Sequence, residues 1–206
     1  MTIGSLTRQL ARAGLAALML SSTALVAGAQ SAQSQNHDDH ANMKHRPGPQ
    51  DAALVKAVRD ATDKYRRVSD AMAAGYVLQF GCVSGGDFGA MGLHFVNGPL
   101  VGDGEITPEK PEIILFEPLP NGGARITGAD YLVMAADWKA KHPDEGPPQL
   151  MGQLFHFFDS PNRFGLDPFY ALHVWAWKDN PEGTFTNWNP NVSCDAFNPP
   201  PETSGK

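Results

Sequence analysis

Along residues 51–75, apolar side chains recur every three or four positions. Leu54, Val55, Val58, Ala61, Tyr65, Val68 and Met72 fall on one face, while Lys56, Arg59, Asp63, Lys64 and Arg66 fall on the other. That spacing predicts a long amphipathic helix, with Asp51 as its N-cap and Gly75 placed to end it. After Gly75 the period changes from helical to alternating. Runs rich in β-branched and aromatic residues at 76–80, 91–97, 112–117, 124–135, 152–158 and 169–178 predict strands. Asn121-Gly122-Gly123 predicts a hairpin between the third and fourth of them. The expected fold class is therefore α+β: one long N-terminal amphipathic helix packed on a strongly bent, mainly antiparallel sheet. Residues 139–150, with Pro143, Pro147 and Pro148, read as a loop of the size used for lids and binding loops.

Strand alternation also sorts the candidate chemistry by face. His94 looks away from Leu93 and Phe95. His173 shares a face with Trp175 and Trp177, opposite Leu172, Val174 and Ala176. A sheet bent around that second face would bring His94 and His173 together, with His156 as a third candidate. Glu112, Glu117 and Asp130 lie in or beside apolar runs, where an unpaired carboxylate costs several kcal/mol. Two imidazoles and one carboxylate form a ligand set for a divalent transition metal (zinc, iron or copper) that leaves coordination positions open. The expected metal set is His94 and His173 with Glu117 or Asp130 as the acid, and His156 held as a further ligand. No HxH or HExxH motif is present, so the ligands would come from separate strands. The alternative is that each histidine is hydrogen-bonded within the core and each acid sits at a strand end. Whether such a centre is catalytic stays open at this level.

Trp175, Trp177 and Trp188 suggest a second possibility, an aromatic pocket for a small ligand without metal, unless they simply fill the core. A structural envelope protein with no pocket is the third. Nucleophilic and phosphate-binding motifs are absent, with no GxSxG and no GKS or GKT.

The chain's ends bear on compartment. Arg8 and Arg12 precede an apolar run to Val26, and Ala27-Gly28-Ala29 supplies small residues for cleavage. Residues 1–29 thus read as a secretory signal peptide cleaved before Gln30, its apolar run being too short for a membrane span. Residues 30–50 read as a disordered tail, 51–198 as a single α+β domain and 199–206 as a loose C-terminal tail. The tail contains His37, His40 and His45 with Asp38, Asp39 and Met43, either a weak metal-binding tract or a solvated linker. Cys82 and Cys194 are the two cysteines. In an oxidising compartment they predict one disulfide, and a periplasmic or secreted location follows. The net charge of −6 over 206 residues argues against nucleic acid and anionic membranes as partners. A small molecule or a metal ion is the expected partner, with no membrane insertion once the leader is removed. Oligomeric state is left open.

Gly92-Leu93-His94-Phe95-Val96-Asn97, the PEIILFEP segment at 111–118 and the LHVWAWKDNPEGTFTNWNPNVSC run at 172–194 resemble a poorly characterised family of exported bacterial proteins. The resemblance covers about residues 51–194. It implies export from a bacterial cell and assigns no site residue.

Overall fold

The computed structural model describes residues 49–198. The expected leader at 1–29, the His37–His45 tract and the 199–206 tail lie outside the described residues.

The helical stretch is divided rather than continuous. Helix α1 runs Pro49–Thr62, a 3-10 turn follows at Asp63–Tyr65, and helix α2 runs Val68–Ala73. Asp51 therefore sits in the first turn of α1 and is not its cap. Its Oδ1 accepts a hydrogen bond from Gln153 Nε2 at 2.7 Å. The break follows from Thr62, whose hydroxyl donates back to the Val58 carbonyl at 2.6 Å and competes with the helical ladder. Arg67 then adopts extended backbone and precedes α2. Gly75, at φ +91°, ends the segment as its sequence position suggested.

Strands β1 (Val77–Ser84), β2 (Ala90–Val96), β3 (Ile113–Pro118), β4 (Ala124–Met134), β7 (His156–Phe158) and β8 (Phe169–Val174) form one sheet in the order β1-β2-β3-β4-β8-β7. Every pairing in it is antiparallel, and the sheet curls into a half-barrel. Two short strands, β5 (Gln149–Leu150) and β6 (Gln153–Leu154), pair separately. The 139–150 loop is shorter than expected, because helix α4 (Ala135–Lys141) and β5 take up its ends. A further short helix, α3 (Gly98–Val101), follows β2. Among the described residues no helix is long and apolar enough to cross a membrane.

Alternation gives the sheet two apolar faces. On one, Leu54 and Val58 of α1 pack on Ala129, Tyr131, Leu172 and Val174, and Ala71 of α2 joins Leu93, Phe95, Ile114 and Phe116. On the other, Ile113, Leu115, Leu132, Phe169 and Ala171 pack with Phe158, Phe164 and Leu166. This second face is covered chiefly by loop chain, with Val101 of α3 packed at its margin. Loop 159–168 leaves β7 and reaches β1 at the far edge, where Arg163 Nη2 donates to the Ser84 carbonyl at 3.0 Å. Phe164 meets Phe80 of β1 and Phe169 of β8 edge-on, with ring centroids 5.3 and 6.1 Å apart. Asn162 holds the loop's shape: its Oδ1 accepts from the Phe164 and Leu166 amides at 3.1 and 3.2 Å.

Cys82 and Cys194 are joined in a disulfide across 112 positions. It fastens the C-terminal segment to β1, beside the bridge that pairs Ala90 with Asn189.

Candidate metal centre

His94, Asp130 and His173 come together on the face under loop 159–168. All three are buried, at 3, 3 and 4 % exposure, and each offers a ligand atom within 4.8 Å of the other two. Asp130 and His173 are direct partners in the β4–β8 register. His94 lies on β2, with β3 between it and β4. Two strand spacings put backbones roughly 9–10 Å apart. The curl of the sheet and the reach of the imidazole close that gap, leaving the rings of His94 and His173 5.8 Å apart between centroids.

The local backbone orients His94. Gly92 takes φ +91°, a conformation natural to glycine, and its carbonyl lies 3.1 Å from His94 Nδ1. A carbonyl only accepts, so Nδ1 carries the proton and Nε2 keeps a free lone pair. This is the usual way a metal-binding imidazole is held. Burial, followed by the neighbouring His173, lowers the His94 imidazole to about 4, so the ring is neutral at physiological pH.

The cluster's own atoms are left unsatisfied. Asp130 Oδ1 and His173 Nδ1 are 3.3 Å apart, yet they are not aligned as a hydrogen bond. Neither has a partner, and His173 Nε2 has none either. Buried polar atoms without partners are rare and costly. A divalent cation would take up Asp130 Oδ1 and the one His173 nitrogen that faces it, the other nitrogen of that ring pointing away from the ion. Around an ion with bonds near 2.1 Å, tetrahedral ligand atoms sit about 3.4 Å apart, so a modest inward turn of the side chains completes the set. The cavity they border measures about 20 Å³ and is otherwise walled by apolar side chains such as Met91, Ile113, Phe158 and Phe169. That is room for about one water-sized occupant.

The remaining candidates fall elsewhere. Glu117, read from sequence as a candidate acid, is engaged at the far end of β3. Its carboxylate accepts from Arg125 Nη2 at 2.7 Å and from Lys178 Nζ at 2.6 Å. Burial alone would raise its pKa, but these two cations outweigh burial and hold it below the ordinary carboxylate value. Glu112 is buried, and its Oε2 accepts from the Leu132 amide at 3.0 Å. His156 is exposed on edge strand β7, lining a separate surface groove with Asp87 and Trp188.

The three tryptophans do not share one pocket. Trp175 packs in a small cluster with Ala90 and Val192, and its Nε1 donates to the Thr186 carbonyl at 2.6 Å. Trp177 crosses to the helix side, where its Nε1 donates to Thr62 Oγ1 at 2.9 Å and Arg66 stacks 3.6 Å over its ring. Strand β8 ends at Val174 and the Ala176 amide bonds back to the Val174 carbonyl at 2.8 Å; this turn breaks the alternation that would have kept Trp177 beside His173. Trp188 lies against Gly85 and Arg163.

Sequence reasoning did not find the cover of the site. Phe80 and Phe164 are named by no motif. Phe80 reaches the cavity because Phe80 and Gly81, at φ 61° and 63°, form an irregularity in the β1–β2 register between Gln79 and Cys82. The glycine at 81 was the available signal.

Searches among family models, curated proteins and solved structures find no match to this chain.

Proposed function

We propose that this protein binds one divalent transition-metal ion through His94, Asp130 and His173, and that it works outside the cytoplasm. The observation that carries the metal reading is the trio of buried, converging ligand groups, whose Asp130 Oδ1 and both His173 nitrogens have no other partner. Two imidazoles and one carboxylate suit zinc or iron and leave positions open for a small ligand. A metal so held supplies Lewis-acid chemistry, polarising or deprotonating what binds in the open position. The protein's share is to fix His94 through Gly92, to supply the single negative charge of Asp130 and to exclude bulk water with loop 159–168.

Export is supported by the pattern of residues 1–29, by the resemblance to exported bacterial proteins and by the Cys82–Cys194 disulfide, a bond that persists in oxidising compartments. The test of the metal reading is elemental analysis of the protein after dialysis against zinc and then buffer. One equivalent of zinc is expected in the parent and in His142→Ala, and none in His173→Ala. Equal zinc in the two variants would refute the assignment.

A further inference from the structure

Beside the cluster runs an open groove of about 520 Å³, within the range of small-molecule sites. Phe80, Ile113, Leu132 and Leu166 line both this groove and the cavity of the cluster. The rest of the groove is formed by side chains such as Val77, Val96, Pro99, Val101 and Met134, with Gln79 as its one polar side chain among the described residues. No charged side chain lines it there. Val77 and Phe80 are 56 % and 44 % exposed, so apolar surface on the edge strand is open to solvent. At the inner end the chemistry reverses, with unpartnered Asp130 and His173 atoms behind an apolar wall.

We infer that the groove binds a slender apolar chain, an alkyl group, and delivers its hydroxyl-sized polar end past Phe80 and Leu166 to the cluster. Two features fix this class. A sugar, an acidic peptide or a nucleotide would lose its hydrogen bonds to water along the groove and find no charged or amide-rich wall in return. A bulky head group would not fit a cavity with space for about one water. A single oxygen at the end of a hydrocarbon meets both conditions. What happens at that end rests on the metal reading above; the chain-binding groove does not.

The test titrates 1-octanol, 1-propanol and triethylene glycol into the protein, with and without zinc, following methyl resonances of Val77, Val101 and Leu166 and measuring zinc content in parallel. Octanol is expected to shift these methyls and bind about 100-fold more tightly than propanol, from partial burial of the longer chain. Triethylene glycol, of similar length but polar, is expected to leave them unmoved. Val77→Asp is expected to weaken octanol about tenfold with zinc content unchanged. If zinc is retained and octanol binds no better than propanol, the groove inference falls and the metal reading stands. If zinc is not retained but octanol still shifts the groove methyls, the metal reading falls and the groove stands. If neither binds, both fall.

Discussion

Glu112 immediately precedes β3, with 2 % of its surface exposed, and its carboxylate accepts a hydrogen bond from the Leu132 amide. Burial pushes its carboxyl up to about 9 from an ordinary value of 4.5, against the pull of its backbone hydrogen bonds. The folded protein therefore keeps a proton that the unfolded chain releases between those two values. Its contribution to stability is full below about pH 4.5 and is lost progressively as pH rises toward about 9. Glu112→Gln preserves an acceptor for the Leu132 amide and removes the titration. Urea unfolding at about pH 5 and about pH 8 should show the variant gaining on the parent at the higher pH; parallel behaviour at both would contradict the assignment. The contrast with Asp130 and Glu117 explains what was legible residue by residue. Strand alternation placed His94 and His173 on one face, and that was sufficient to pair them. It could not choose among three acids in similar apolar surroundings, because the choice depends on cross-strand register. Asp130 is opposite His173, whereas Glu117 is opposite Arg125.

Among the elements, β2 carries a demanding position close to the cluster. Gly92 has φ +91°, and a Cβ there would lie 2.4 Å from the Phe116 carbonyl oxygen of β3. Neither backbone can give way without breaking the ladder that holds His94. Gly92→Ala should cost about 2–4 kcal/mol, read from the urea midpoint, and a loss under about 0.5 kcal/mol, the range of neutral surface changes, would show that the strand tolerates the side chain. Most of the strands and the Asn121-Gly122-Gly123 hairpin were readable because alternation and turn chemistry are local, although the 152–158 run, read as one strand, divides into β6 and β7 in separate sheets. Two further features were not. The helical period continues through residues 63–67, but the Thr62 back-bond and its link to Trp177 interrupt the helix there. The 169–178 run likewise looks like one strand, yet it turns after Val174. In both cases a tertiary contact overrides a correct local pattern.

At the scale of the whole molecule, the Cys82–Cys194 bond and the cluster are independent supports. The disulfide ties the chain's end to the β1 edge, while the cluster joins β2, β4 and β8 on the face beneath loop 159–168. Replacing both cysteines with alanine should lower stability by roughly 2–5 kcal/mol, measured by urea unfolding, while zinc content after dialysis stays at that of the parent. Loss of zinc in that variant would mean that the edges of the sheet must be fastened for the ligands to converge. The most direct measurement is anomalous diffraction from crystals of the zinc-loaded protein, collected on both sides of the zinc absorption edge. One peak is expected about 2.0–2.2 Å from a nitrogen of His94, a nitrogen of His173 and a carboxylate oxygen of Asp130. A cluster without a peak, with zinc instead on the His37–His45 tract or on no ordered site, would contradict it.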